Sequence, residues 1–330
     1  MDAPTILYAL RWLIYDTFWQ ALTSRVFWVL LGLSGICIVF CLGVSVEGGV
    51  QREGKELFTP DNQPLVAGSK GIGQASLLFG AFTYEISRDA EREIRFFLNI
   101  FGSFVGGILG VLFTLVFTAS FIPDSLQPSS ASVLLAKPIP RWLFLLGKFL
   151  GVVSFVLLHA IIFYAGTWLA LGMKTNYWHA TYLFGILFMV FHFTTIFSFT
   201  LILAVMFRSS TAGIVGALAF WGICFAVNWG RHSVVVFGEL NSSAQPLSQF
   251  TSLISEISYW CLPKPIDFTI MLQETLGVSA DVSGTLAESN PFKLMIARNF
   301  FHPVLAALTS FAFTLFALWT SASQLAKTDY

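Results

Sequence analysis

The sequence predicts an all-α, polytopic membrane protein with six transmembrane helices, an N-terminal amphipathic elbow helix and two large extracytoplasmic loops. The first reason is composition: 56% of the 330 residues are hydrophobic and only 11% are charged, whereas soluble domains contain about 25% charged residues. The second reason is that six long stretches contain no Asp, Glu, Lys or Arg. The formal net charge of +0 also provides no basic surface for nucleic acid.

The N-terminal segment 1–25 predicts the elbow helix, with helical periodicity over residues 3–24. The apolar side chains that recur at this spacing are Leu7, Leu10, Ile14, Phe18 and Leu22. Trp12 and Trp19 are typical of the headgroup level of a bilayer. Two placements remain open: the helix lies in the membrane interface, or it packs against the bundle from the cytoplasmic side.

The six charge-free stretches are each long enough to cross about 30 Å of hydrocarbon as a helix. They are residues 26–46, 96–120, 149–173, 180–207, 211–230 and 300–326. If both termini are cytoplasmic, the segments on that side contain more basic than acidic residues, as the positive-inside rule requires. The basic residues are Arg11, Arg25, Lys137, Arg141, Lys148, Arg208 and Lys327. We therefore expect both termini in the cytoplasm and a location in the plasma membrane.

The two long connections, residues 47–95 and 231–299, are the predicted extracytoplasmic loops. The first begins rich in glycine and polar residues and ends in a charged helix whose opposite charges are spaced to pair with each other. The expected pairs are Glu85 with Arg88, Asp89 with Arg92, and Glu91 with Arg95. The second loop predicts an amphipathic helix over 247–262, a break at 263–265 and another helix over 266–276.

Several small or polar residues inside the spans are candidate packing or pathway residues. Gly102, Gly106 and Gly110 recur every four positions, a spacing that lets helices approach closely. His159 and His192 fall near the middle of their spans, and two imidazoles could ligate a metal or haem. No Cys, Met or carboxylate is motif-spaced beside them, so we favour neutral histidines that hydrogen-bond across helices and predict no metal site. With Asn228, near the end of the fifth span, these histidines are the predicted pathway residues.

The motifs that the chain lacks also limit its function. No acidic residue lies within a predicted span, although proton- and sodium-coupled carriers typically contain one there. No GxxxxGK[ST] phosphate-binding loop occurs, and no HExxH or GxSxG motif indicates a hydrolase. We therefore expect no catalysis and no cofactor in this chain, and energy for any active transport must come from a partner.

The connection 121–148 between the second and third predicted spans is basic and contains several prolines and serines. Its backbone polar groups would lack partners in hydrocarbon, so it must face water, and its prolines stiffen the chain. The segment LLAKPIPRWLFLLGKFLG resembles the membrane subunits of ABC-2 type transporters, in particular the permeases of nitrous-oxide-reductase maturation. The matching residues are Leu134, Leu135, Lys137, Pro138, Arg141, Leu145, Gly147, Lys148 and Gly151.

The resemblance implies a single membrane domain over residues 1–330 that dimerises with a second permease protomer, identical or different. It also implies a bacterial permease, expected to be an exporter, powered by a separate ATPase subunit that binds ATP and Mg. In that family the loop between spans two and three forms a coupling helix that contacts the ATPase. Carried onto this sequence, the partner-coupling residues are Asp124, Lys137, Pro138, Arg141, Gly147 and Lys148. The long loop 47–95 departs from the family pattern.

Two other functions are compatible with the same sequence. A membrane scaffold or sensor would bind a cytosolic partner through this loop without moving a substrate. A secondary carrier would use an ion gradient, but the missing intramembrane acids disfavour it.

Overall fold

The computed structural model describes residues 3–47, 51–53, 56–58, 73–86, 90–125, 140–240, 249–277 and 301–327. Within them, six helices are long and apolar enough to cross a membrane, which confirms the number predicted. They are Arg25–Leu42, Ala90–Pro123, Arg141–Thr175, Ala180–Phe207, Ser210–Val234 and Pro303–Lys327. The second and third spans begin earlier than their charge-free stretches, because charged first turns continue directly into the apolar helix.

The helices divide as follows, in chain order. They are α1 (Ala3–Thr23), α2 (Arg25–Leu42), α3 (Ala90–Asn99), a π-helix (Ile100–Gly110), α4 (Val111–Thr118), α5 (Phe121–Ser125), α6 (Arg141–Thr175), a 3₁₀-helix (Ala180–Leu183), α7 (Phe184–Phe207), α8 (Ser210–Leu240), α9 (Gln249–Cys261), α10 (Pro265–Thr275) and α11 (Pro303–Lys327). We call the end of the bundle with α5 and the start of α6 the loop end. The opposite end, where α2 finishes and α3 begins, is the sheet end.

The sheet end carries β-structure that the sequence analysis did not predict. The strands are β1 (Ser45–Glu47), β2 (Gln51–Glu53), β3 (Glu56–Phe58), β4 (Gly73–Leu77) and β5 (Phe82–Ile86). Strands β1, β4 and β5 form an antiparallel sheet with β4 in the centre, and β2 pairs with β3. At the β4–β5 turn, the Phe79 amide donates to the Gly43 carbonyl at 3.0 Å, which holds the turn against the end of α2.

The sheet changes the prediction for the charged segment before the second span. Glu85 lies in β5, so its predicted place in a helix is wrong, and the helix begins at Ala90. The predicted pair of Glu91 with Arg95 is confirmed at 3.0 Å. Asp89 lies outside the described residues, as does Arg88.

Tyrosine hydroxyls connect α3 to the rest of the sheet end. Tyr84 of β5 donates to Glu93 Oε1 at 2.8 Å, and Tyr177 in the connection after α6 donates to Glu91 Oε1 at 2.7 Å. Burial, together with the hydrogen bond to a carboxylate, raises the pKa of both tyrosines, that of Tyr177 to about 12. Both hydroxyls therefore remain donors at neutral pH.

Helices α6 and α7 form the centre of the bundle. In the most apolar stretch of each span, 56% of the residues of α6 and 50% of those in the span that contains α7 are buried, against 17% in α2. Phe149 of α6 stacks on Phe197 of α7 with ring centroids 5.8 Å apart, and Phe193 stacks on Phe197 at 5.1 Å. The long α6 ends where Asn176 adopts a left-handed conformation, φ 56°, and its amide donates to the Gly172 carbonyl.

Helix α1 packs against α6 at the loop end. Its buried face carries Leu13, Thr17 and Ala21, whereas Leu7 from the predicted stripe is 69% exposed. The structure thus shows that α1 packs against the bundle. The exposed face of α1 stays available for contact with lipid.

The two helices predicted in the second long loop are confirmed as α9 and α10, with the break at Pro263 and Lys264. Pro265 is the first residue of α10, a position that tolerates proline because its missing amide hydrogen would be unpaired there. Helix α10 packs among α7, α8, α11 and the π-helix. It is therefore part of the helical bundle, beside the transmembrane helices.

Candidate coupling site

The predicted coupling residues lie partly outside the described structure. Lys137 and Pro138 fall in the connection 126–139, which is outside the described residues, as is the side chain of Asp124 in α5. The described part of the site is therefore its two borders, α5 before the connection and the first turns of α6 after it.

Arg141, the first residue of α6, contacts the other end of the described chain. Its Nη1 donates to the carbonyl of Leu325 at 3.0 Å and to that of Ala326 at 3.5 Å, in the last turn of α11. Carbonyls in the last turn of a helix have no partner within the helix and carry partial negative charge, so a guanidinium is favourable there. The first residue of α6 thus joins this helix to α11.

Lys148, two turns further along α6, is directed inward. Its side chain is only 2% exposed and its Nζ lies 3.2 Å from Asp16 Oδ2 and 3.1 Å from Gln20 Oε1. The sequence analysis placed Lys148 among the residues that would contact a separate ATPase subunit. The structure instead supplies Asp16 of the same chain, on α1.

Gly147 and Gly151 form the surface of α6 on which α1 lies. A Cβ atom at Gly147 would stand 2.5 Å from Leu13 Cβ, and one at Gly151 would stand 2.5 Å from Thr17 Cβ. Real Cβ atoms do not approach so closely, so the helices reach this separation only because both positions are glycine. A GxxxG spacing at the start of α6 is the sequence signal that could have predicted this contact.

The three glycines of the second span also pack within the protomer. Tyr164 of α6 donates to the Gly102 carbonyl at 2.8 Å, and a Cβ at Gly106 would stand 2.7 Å from Phe163 and Tyr164. A Cβ at Gly110 would stand 3.2 Å from the methyl carbon of Met189 in α7. All three glycines belong to the π-helix, and their neighbours lie on α6, the 3₁₀-helix, α7 and α10.

The structure brings each predicted pathway residue to a different neighbour. The His159 Nε2 atom lies 3.2 Å from the Ser34 hydroxyl of α2, an interhelical hydrogen bond of the predicted kind. His192 of α7 contacts the ring of Phe268 in α10 at 5.8 Å between centroids. Asn228 of α8 donates to Asp267 at 3.1 Å and accepts from the Ile266 amide at 2.9 Å, which fixes the start of α10.

Comparison with known proteins identifies the family of this chain. The profile of the ABC-2 family transporter proteins matches residues 12–280, from α1 through α10. The chain belongs to this ABC-2 family. It is thus a multi-pass membrane component of an ABC transporter. A comparison with curated proteins gave no match.

This ABC-2 protein also contains a buried acid that the sequence analysis missed. Asp267 of α10 is 0% exposed and accepts hydrogen bonds from Asn228 and Tyr259, and His232 Nε2 lies within hydrogen-bond distance. Asp267 lies outside every charge-free stretch, so a search for acids within spans does not find it. The side chains around it join α8, α9 and α10.

Lys264, beside this cluster, is fully buried as well. Its Nζ donates to the Leu262 carbonyl at 3.2 Å and to the Thr309 hydroxyl of α11 at 2.8 Å, and it lies 4.8 Å from the centre of the Tyr259 ring. Removal from water lowers the pKa of Lys264 to about 8, although nearby Asp267 opposes that shift. The break between α9 and α10 is thus held to α11.

Proposed function

We propose that this chain is the permease subunit of an ATP-driven exporter, and that a separate ATPase subunit binds ATP and Mg and docks on the connection 126–139. The proposal includes a dimer with a second permease protomer. It also places the protein in the plasma membrane of a bacterium, with both termini and the loop end in the cytoplasm. The observation that best supports the proposal is that the first turns of α6 contact both α1 and α11.

The contacts at the loop end suggest how force would travel from the ATPase. A movement of the connection 126–139 displaces the start of α6, where Arg141 is bonded to α11. The same movement carries α1, because Lys148 pairs with Asp16 and the glycines of α6 leave no free space against Leu13 and Thr17. One docking event therefore moves three helices together, as transmission from an ATPase requires.

The docking test uses the connection itself, because Arg141 and Lys148 bind within the chain. The double variant Lys137→Glu with Pro138→Gly reverses one charge and removes one constraint on the backbone. We expect the tagged protein to lose co-purification with its ATPase subunit while its own thermal unfolding stays unchanged. Lys174→Glu, a charge reversal at the sheet end, is the matched control and should keep the ATPase bound. Unchanged association of the double variant would refute the docking site.

A second experiment separates the exporter from a scaffold or sensor. An ATPase subunit whose catalytic carboxylate is replaced still binds ATP but does not hydrolyse it. With that variant, substrate accumulation in inside-out vesicles should stop, whereas a scaffold or sensor would function as before. Flux driven by an ion gradient in the purified chain alone would instead indicate a secondary carrier.

A further inference from the structure

A cavity of about 100 Å³ lies within the bundle between α2, the π-helix, α6 and α7. It is separate from the loop end and from the Asp267 cluster. The lining residues used below are Leu33, Ser34, Phe113, His159 and Met189, with Gly106 and Gly110 of the π-helix. Among the described residues that line the cavity, none is charged. A space of this size holds only a few heavy atoms.

The shape of the second span creates this space. A π-helix is wider than an α-helix, and short π segments are frequent at functional sites; here it continues for 11 residues. Gly106 and Gly110 add no side chain to the cavity wall, and a Cβ at Gly110 would stand 3.2 Å from the Met189 methyl carbon. The sequence thus leaves room where most residues would fill it.

The wall of the cavity has one polar pair, His159 and Ser34, which are 6% and 2% exposed. The Ser34 hydroxyl contacts His159 Nε2, while Nδ1 has no hydrogen-bond partner among the described residues. A buried polar atom left unpaired costs about 1–3 kcal/mol. Either nitrogen can carry the proton, so Nδ1 is an acceptor in one tautomer and a donor in the other. A hydroxyl group, which both donates and accepts, suits either case.

The depth of His159 determines how a ligand would reach it. Counted along α6, His159 lies 18 residues after Arg141 and 16 before Thr175, which is roughly 27 and 24 Å of helix. Both distances approach the thickness of the hydrocarbon layer, about 30 Å, so neither aqueous side is near. Leu33 of α2 and Phe113 of α4 line the cavity and are 37% and 41% exposed on the outer surface of the protomer. A ligand would therefore arrive from the lipid phase.

We propose that this cavity binds the hydroxyl end of a neutral, membrane-soluble amphiphile, with His159 and Ser34 as its hydrogen-bonding partners. The alkyl part of the ligand leaves between Leu33 and Phe113 into the bilayer. The absence of charge among the described lining residues disfavours an ionic headgroup, because nothing there would compensate its desolvation. The proposal does not depend on the ATPase partner or on the direction of transport.

The test uses the purified full-length chain in phosphatidylcholine nanodiscs and an eight-carbon alcohol that bears a photoreactive diazirine. After irradiation, mass spectrometry of the peptides locates the adducts. We expect adducts concentrated within residues 30–37 and 105–113 and reduced by excess 1-octanol. The same diazirine on octane, which has no hydroxyl, should show no such concentration.

Variants of His159 test the role of the hydrogen bond. His159→Phe should reduce cavity adducts about fivefold, the effect of about 1 kcal/mol, whereas His159→Gln should retain most of them. His302→Phe, a change at a histidine that precedes α11 and does not line the cavity, is the matched control and should leave labelling unchanged. Ser34→Ala provides the same test if His159→Phe does not fold.

Three results would overturn the proposal. One is labelling spread evenly over the exposed apolar surface, and another is cavity labelling that His159→Phe does not change. The third is disulfide formation between two copies of a Leu33→Cys variant together with an unlabelled cavity, which would show that a second protomer covers the opening.

Discussion

At the residue scale, two almost fully buried lysines show how differently the same side chain is accommodated. Lys148 neutralises its charge against Asp16, which is 28% exposed. Lys264 donates to neutral oxygens and lies over an aromatic ring, and the pKa of its ammonium is lowered accordingly. Each arrangement predicts a measurable effect on stability.

The ion pair between Lys148 and Asp16 should respond asymmetrically to the loss of either partner. Asp16→Ala leaves the buried ammonium with only Gln20 as a polar partner and should destabilise the protein by about 3 kcal/mol. Lys148→Met leaves a carboxylate that water can reach, and should cost about 1 kcal/mol. Thermal unfolding in detergent measures both, and equal losses would contradict the difference in burial.

Lys264 predicts a dependence of stability on alkaline pH. Its folded pKa of about 8 lies below the ordinary value of 10.5, so the folded state binds fewer protons at this site between those two values. Stability contributed by Lys264 should therefore rise as the pH increases through this window. The melting temperature of the wild type, compared with that of Lys264→Met, should increase between pH 7.5 and pH 9.5. A difference that does not change with pH would contradict this prediction.

At the element scale, the contact of α1 with α6 depends on two glycines at the start of a helix. The residues of the apolar stripe predicted for α1 do recur at helical spacing. The buried face of the helix is nevertheless centred on other residues, Leu13, Thr17 and Ala21. Because Leu7, Tyr8, Tyr15 and Trp19 are large apolar or aromatic side chains that remain exposed, periodicity alone could not identify which face of α1 contacts protein.

Alanine at either glycine should separate α1 from α6. Gly147→Ala and Gly151→Ala each place a Cβ 2.5 Å from an atom of α1, and overpacking of this kind costs about 1–3 kcal/mol. Gly222→Ala in α8 is the matched control, because a Cβ there meets nothing within 4 Å, and alanine favours helix. Limited proteolysis should cleave α1 faster in the first two variants and at the normal rate in the control. Equal rates in all three would refute the contact.

The sheet was missed at this scale for a physical reason. Its strands have only three to five residues, too short for a clear alternation of apolar and polar side chains. Strand β1 pairs with β4, so that Ser45 lies opposite Ser76, 31 positions away along the chain. Pairing of this kind depends on the helices that bring the strands together, and no local propensity encodes it.

At the scale of the whole molecule, the predicted orientation can be tested with a native cysteine. Cys261 is exposed at the sheet end, whereas Cys41 and Cys224 are buried and Cys37 is intermediate. If the sheet end is extracytoplasmic, a membrane-impermeant maleimide should label intact cells, and Cys261→Ser should abolish the signal. A Lys137→Cys change in that background should react only after permeabilisation. Labelling of Lys137→Cys in intact cells would show that the loop end is extracytoplasmic and would contradict the predicted orientation.

The sequence by itself determined the class of this protein and the number of its membrane-crossing helices. Those properties are local, because the absence of charge over about 20 residues is sufficient to favour a span. The helices α9 and α10 and the GxxxG spacing of α6 were likewise readable from short segments. The resemblance to the ABC-2 family was likewise carried by one segment, residues 134–151.

Only the tertiary structure decided which residues face each other. Lys148 meets Asp16 across 132 positions, and Asp267 meets Asn228 across 39 positions. Both charges looked like surface residues in the sequence, because neither lies in a charge-free stretch. Their burial depends on helix packing, which places a distant polar partner at each site so that a charge can leave water without a large loss of free energy. Sequence spacing shows which side chains share one face of a helix, and the packing of the neighbouring helix determines which of them are buried.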